Sequence, residues 1–145
     1  MSRILKGAAA ALGLLAAAEA GGTAYFYRRT MKRYNAKTER TMKMSGVDWE
    51  KYFPVMHERS SWMMEQPHED VWITSHDGLK LHGTYFEGDG GNKAVICFHG
   101  YTSKGLNDYG SLSWYYLKHG FRMLLIDERA HGESEGTYIG FGTMD

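Results

Sequence analysis

The stretch that most constrains this chain is residues 93–136, KAVICFHGYTSKGLNDYGSLSWYYLKHGFRMLLIDERAHGESEG. Two short apolar runs, 94–98 and 123–126, each lead straight into a polar, glycine-bearing loop, and a helical pattern lies between them. Strand, helix and strand in that order predict a βαβ unit, with its chemistry at the strand ends. The fold class that follows is α/β. The same stretch contains Gly132-Glu133-Ser134-Glu135-Gly136, the Gly-x-Ser-x-Gly spacing found around reactive serines. Whether Ser134 is a nucleophile therefore decides much of the functional reading.

Upstream, 71–74 and 79–86 are strand-like, and Ser75-His76-Asp77-Gly78 between them places glycine where a turn needs positive φ. This predicts a β-hairpin. Gly88-Asp89-Gly90-Gly91-Asn92 follows as a loop; it lacks the lysine and hydroxyl of a phosphate-binding loop, and no helix follows it. Residues 94–98 have the apolar, β-forming composition of a central buried strand. Asn107 or Asp108 can cap a helix whose Leu112, Tyr115, Tyr116 and Leu117 face the sheet and whose end is marked by Gly120. A right-handed crossover would set strand 121–126 parallel to 94–98.

The N-terminal third reads differently. Arg3 and Lys6 precede an alanine-rich run, 7–18, then Glu19 and the apolar 20–27. As a signal peptide it has a basic start, a short apolar middle and the small-x-small site Ala18-Glu19-Ala20. As a membrane anchor, 7–27 is closed by Tyr25, Phe26, Tyr27, Arg28 and Arg29, near the ~20 residues a span requires. Both readings stand, with the anchor preferred. Arg28, Arg29, Lys32, Arg33 and Lys37 outnumber Arg3 and Lys6, so an anchor would leave the rest of the protein in the cytoplasm. Residues 34–44 suggest a charged stalk. A greasy helical stretch then runs to about Glu65, with Asp48 as N-cap, an interruption near Pro54, and Trp49, Tyr52, Phe53, Val55, Met56, Trp62, Met63 and Met64 to bury against a sheet or a bilayer surface. The resulting division is 1–30 anchor or signal segment, 31–67 basic and amphipathic helical linker, and 68–145 a β-containing domain. So small a sheet would be marginal alone.

Composition excludes several classes of function. The formal net charge is zero, and no basic stripe interleaves with aromatics beyond the first third, which argues against nucleic acid. Cys97 is the only cysteine, so a disulfide framework is excluded. His57, His68, His76, His82, His99, His119 and His131 never fall in a zinc spacing, and neither a metal nor a cofactor is expected. Cys97 and His99 share a strand face, where a thiol acts as a small hydrophobe.

Two loops can carry chemistry. His99-Gly100-Tyr101-Thr102 follows a strand and precedes a helix, so its backbone amides lie beyond the carboxyl edge of the sheet, where open α/β sheets bind ligands. Such donors suit a developing oxyanion, and Gly100 permits close approach of backbone to substrate. Ser134 fits less well. A nucleophile elbow needs strand, sharp turn and helix in succession, yet Glu128, Arg129, Ala130 and His131 intervene after Asp127, and the residues after Gly136 are not helix-forming. Glu133 and Glu135 would also oppose deprotonation of the hydroxyl.

Taken together, Ser75-x-Asp77-Gly78 with Leu79-x-Leu81-x-Gly83, His99-Gly100, and Asp127-x-Arg129-x-His131-Gly132-x-Ser134-x-Gly136 resemble the α/β-hydrolases. The likeness is greatest to their serine aminopeptidase-like and lysophospholipase-like branch. Ala130 departs from the pattern, in which glycine is usual between the arginine and the histidine. The resemblance implies that His99, Gly100 and Tyr101 form an oxyanion loop with the Tyr101 N–H as one donor. It also implies that Asp127, Arg129, His131, Gly132, Ser134 and Gly136 belong to a structural loop, and that the nucleophile, acid and histidine base lie further along than Asp145. On that reading the chain is the N-terminal part of a membrane-anchored serine hydrolase acting through an acyl-enzyme on a small-molecule, lipid or peptide acyl substrate. Residues 68–145 would be an incomplete domain, inactive alone and aggregation-prone at the open edge of its last strand. The alternative is a non-catalytic, membrane-tethered binding module of the same fold.

Overall fold

The computed structural model describes residues 2–33, 48 and 50–143; the stalk expected over 34–44, and Val47 and Trp49, lie outside them. The chain divides into two compact units, Met1–Lys32 and Arg33–Asp145. In the first, a single helix, α1 (Arg3–Met31), is capped by Ser2, whose hydroxyl accepts from the Leu5 amide at 3.3 Å. Its 29 residues extend roughly 44 Å at the usual rise. None of them is buried. The helix is long and apolar enough to cross a membrane, a property that an N-terminal signal sequence shares.

The second unit carries α2 (Phe53–Met64), the hairpin β1 (Glu69–Thr74) and β2 (Lys80–Phe86), then β3 (Lys93–Phe98), α3 (Gly105–Lys118) and β4 (Phe121–Asp127). The strands form one mixed sheet in the order β1-β2-β4-β3, antiparallel except for the parallel β3–β4 pair. The α/β class, the hairpin and the following βαβ unit are those the sequence pattern implies. The hairpin turn closes through the Ser75 amide on the Leu79 carbonyl at 2.8 Å, with Gly78 at φ +88°.

Several local expectations need correction. Residues 94–98 suggest a central strand; among the described residues β3 lies at an edge of the sheet and β4 is paired on both sides. The open edges among the described residues are therefore those of β1 and β3, and not that of the last strand. Only alternate residues of β3 are covered: Cys97 is 3% exposed whereas Ile96 and Phe98 are more than half exposed. On α3, Leu112 and Tyr115 face solvent, and the packed face is Leu106, Tyr109, Ser113, Tyr116 and Leu117. Neither Asn107 nor Asp108 caps that helix. It begins after Lys104, whose ammonium cannot accept from a helix amide, and its first residue, Gly105, fits against β4, where a Cβ would lie 2.9 Å from the Leu125 Cβ. Likewise α2 starts after Tyr52 rather than at Asp48. Pro54 stands in its first turn, where a missing N–H costs nothing, and so does not interrupt it.

The core lies on one side of the sheet and comprises Met63, Phe86, Cys97, Leu117, Met123 and Leu125. α2 reaches it through Met63 while packing along α3, where Gly110 admits the Ser60 side chain. Lys118 covers the rings of Trp62 and Trp114 at this seam, at 5.4 and 4.6 Å from their centroids. The parallel pairing, with Cys97 opposite Leu125 and Phe98 opposite Ile126, aligns the carboxyl ends of β3 and β4. The two loops singled out by the sequence consequently emerge side by side.

Candidate functional site

The loop after β3 is held from its helix side by Asp108. One carboxylate oxygen accepts from the Gly100 amide at 2.6 Å and the other from the Ser103 hydroxyl at 2.5 Å. A carboxylate in the first turn also complements the helix dipole. The Ser103 amide donates to the Gly100 carbonyl at 3.0 Å, which folds residues 100–103 into a turn. Thr102 sits at φ +57°, an outlier conformation for a β-branched residue. Its amide donates to His131 Nε2 at 3.2 Å. Tyr101 is 46% exposed and stacks on Phe141 at 5.3 Å between centroids.

The loop after β4 is built around Asp127. Its carboxylate receives His82 Nδ1 at 2.8 Å and the Glu133 amide at 3.0 Å. Gly132, at φ +45°, wraps so closely that a Cβ would lie 2.1 Å from the Asp127 Cγ. Only glycine fits there. Ala130 adopts φ +62°, a left-handed conformation that costs an alanine roughly 1–2 kcal/mol and explains why glycine suits this position. Arg129 is buried and forks onto Asp77 in the hairpin turn with both contacts at 2.8 Å. The Arg129 guanidinium, and after it the Ser75 hydroxyl, hold the Asp77 carboxyl well below the usual carboxylate range. Arg33 donates to the Ser134 and Gly132 carbonyls, each at 2.6 Å. In the sequence Arg33 stands only among the basic residues after the apolar segment, and no local pattern marks it as a loop brace.

Ser134 is fully buried. Its hydroxyl donates to the Asp127 carbonyl at 2.5 Å and accepts from the His82 amide at 2.8 Å. With its proton committed and no path for a substrate, this hydroxyl staples the loop to β2 and β4. No helix follows it among the described residues. Among the described residues a second serine meets a histidine: Ser61 Oγ is 3.2 Å from His57 Nδ1 on α2. Both are exposed and four residues apart on one helix. This is an ordinary helical side-chain pair.

His82 was not singled out by the sequence, yet it is a node of the structure. It is 7% exposed, and its ring nitrogens meet Asp127 at 2.8 Å and Asp70 at 2.9 Å. Burial works against its charged form, but the bonds to Asp70 and Asp127 outweigh that effect and leave its pKa raised. An imidazole facing two carboxylates can satisfy both only with both nitrogens protonated.

His99, Glu128 and His131 bring one potential metal-ligating atom each within 4.8 Å of the others. Their hydrogen bonds argue against a metal ion. His99 Nδ1 meets the Gly100 carbonyl at 2.9 Å and His131 Nδ1 the Arg129 carbonyl at 3.0 Å, so these nitrogens carry the protons. The Nε2 atoms accept from the amides of Glu128 and Thr102, each at 3.2 Å. A ring nitrogen has one in-plane lone pair, and both available pairs are in use. A cavity of about 440 Å³, lined by Trp62, Phe86, Leu117 and Lys118 among others, lies towards the opposite end of β4, where Phe86 pairs with Met123.

No family model matches the chain. A thiohydrolase, aneE of Aspergillus aculeatus, is 32% identical over 72 residues, which make up 50% of this chain and 23% of that protein. Among solved structures, an esterase of Pyrococcus furiosus is similar at 37% identity and a TM-score of 0.49, over 55% of this chain and 32% of that one. An α/β hydrolase of Novosphingobium aromaticivorans is similar at 31% identity and a TM-score of 0.42, over 50% and 25%. The chain thus spans about a quarter of the curated relative and about a third of the esterase.

Proposed function

We propose that this chain is part of a membrane-anchored acyl hydrolase of the α/β-hydrolase type, in which residues 99–102 form the oxyanion loop. The observation that carries the reading is the loop itself. It leaves the carboxyl end of a parallel strand, turns through Gly100 and a left-handed Thr102, and is braced from both sides by Asp108 and His131. Rigid backbone amides at such a place stabilise charge as it develops on a carbonyl oxygen, and loss of one donor costs ~3–4 kcal/mol of transition-state stabilisation. The Tyr101 N–H is the donor assigned. The likeness to a thiohydrolase supports attack on an acyl group; the substrate class is an ester, thioester or amide, cleaved through an acyl-serine.

The nucleophile is neither Ser134, which is buried and committed, nor Ser61, and we assign it to residues other than those described. In this reading α1 is the anchor, and the excess of basic residues after it supports a cytoplasmic domain. The test is labelling of the natural protein in its own membranes with a fluorophosphonate probe, followed by mapping of the modified residue. A modified serine outside the described residues, together with hydrolysis of an acyl ester, is the expected result. Label on Ser134 that disappears in Ser134→Ala would overturn the assignment, and a protein that neither labels nor hydrolyses is a binding module.

A further inference from the structure

The two loops hold one another through a reciprocal pair of imidazoles. His99 belongs to the β3 loop and accepts the Glu128 amide of the β4 loop; His131 belongs to the β4 loop and accepts the Thr102 amide of the β3 loop. Each ring donates its other nitrogen to a carbonyl of its own loop, Gly100 for His99 and Arg129 for His131. The protonation pattern is assigned from these partners, since a carbonyl can only accept and an amide can only donate. Both rings are therefore neutral, 5% exposed, and edge to face at 4.5 Å between centroids.

The brace bears on a strained backbone. Thr102 stands at φ +57°, and such a conformation persists only where its surroundings hold it. The holding contacts are its amide on His131 Nε2 at 3.2 Å and its hydroxyl on the Tyr101 carbonyl at 2.7 Å. The peptide that joins Tyr101 to Thr102 is thus fixed at both ends of its plane, and that fixes the direction of the neighbouring Tyr101 amide.

We propose that His99 and His131 are positioning residues for the 99–102 loop, holding its geometry only while both imidazoles are neutral. Protonation of His131 turns the acceptor of the Thr102 amide into a donor, and two donors then face each other. Protonation of His99 does the same to the Glu128 amide, and two imidazolium rings in edge contact repel. Acid therefore releases the loop. The charged groups around the pair are the Glu128 carboxylate, which belongs to the same cluster, and Asp108 of α3, whose carboxylate is on the Gly100 amide and the Ser103 hydroxyl. Arg129 in the β4 loop is turned away onto Asp77 of the hairpin, and Asp127 of β4 is engaged by His82 of β2.

The proposal rests on the hydrolase reading only in calling the loop an oxyanion loop, and its test is independent of turnover. In the full chain in detergent micelles, ring nitrogen shifts would follow imidazole protonation while hydrogen exchange reports protection of the Thr102 and Glu128 amides. Protection of both is expected to fall at least tenfold as the rings protonate. His131→Gln keeps an acceptor that does not titrate, so Thr102 should stay protected in acid while Glu128 still loses protection. His131→Phe should leave Thr102 exposed at every pH; if that variant fails to fold, His131→Gln alone decides. Protection of Thr102 that is unchanged through the imidazole titration overturns the proposal. In the active protein, His131→Gln should lessen the loss of kcat in acid with KM unaltered, and His99 would account for part of what remains. Complete lack of hydrolysis would count against the hydrolase reading alone, because the exchange result stands without it.

Discussion

Replacing Asp127 by asparagine tests the centre of the β4 loop with almost no change of shape. In the native protein one carboxylate oxygen accepts both His82 Nδ1, at 2.8 Å, and the Glu133 amide, at 3.0 Å. Asp127 is 14% exposed. Hydrogen bonds to a charged group are worth about 1.5–3 kcal/mol net, against about 0.5–1.5 kcal/mol for neutral pairs. If the asparagine oxygen takes the place of the carboxylate oxygen, each bond weakens by roughly 1 kcal/mol, and the variant loses about 2 kcal/mol. The flipped amide would lose more, because its NH2 would face two donors. Asp70, the other partner of His82, is 66% exposed, so solvent screens it and it cannot replace the lost charge.

The pH dependence gives the sign. His82 has a folded pKa raised above its ordinary value near 6.5. Its contribution is fully present below that ordinary value and is lost as pH rises through the raised one. The gap between native protein and Asp127→Asn should therefore be widest near pH 6 and narrow towards pH 9, as His82 loses its charge in both. Urea unfolding of the full chain in mild detergent, followed by tryptophan fluorescence, measures it; Trp72 reports locally, with its ring 4.7 Å from that of His82. Equal stability at pH 6, or a gap that widens with pH, would refute the argument.

Gly132→Ala should destabilise the second unit by about 1–3 kcal/mol, because its Cβ would meet the Asp127 carboxyl in a left-handed backbone; the urea midpoint checks it. Ser134→Ala leaves the buried His82 amide without its acceptor, for a loss of about 1–3 kcal/mol; a loss below 0.5 kcal/mol, against that range, would mean the hydroxyl is not a staple. Burial pushes the Cys97 thiol up, so iodoacetamide at pH 8 should react with it slowly in the folded chain and at the free-thiol rate in urea. Alkylation at the free-thiol rate without urea would contradict its place in the core.

What the sequence determined was local. The apolar runs of β3 and β4, the helical period between them and the Ser75–Gly78 turn name their elements because each depends on neighbours in the chain. The Gly-x-Ser-x-Gly spelling shows the limit of such reading: the intervening residues argue against an elbow, but only the fold supplies the His82 amide and Asp127 carbonyl that occupy the Ser134 hydroxyl. The tertiary structure alone decided that β4 lies between β2 and β3, since strand order follows from how the hairpin and crossover pack. It also decided that Leu112 and Tyr115 face water, because α3 is turned by the close fit of Gly105 and Gly110 against its neighbours. Arg33 finds the Gly132 and Ser134 carbonyls across about a hundred residues of sequence. As letters, His82, His99 and His131 do not show which nitrogens carry protons. The sheet made one a charged bridge between carboxylates and the other two neutral acceptors of backbone amides, because the protonation of an imidazole is set by the groups that face it.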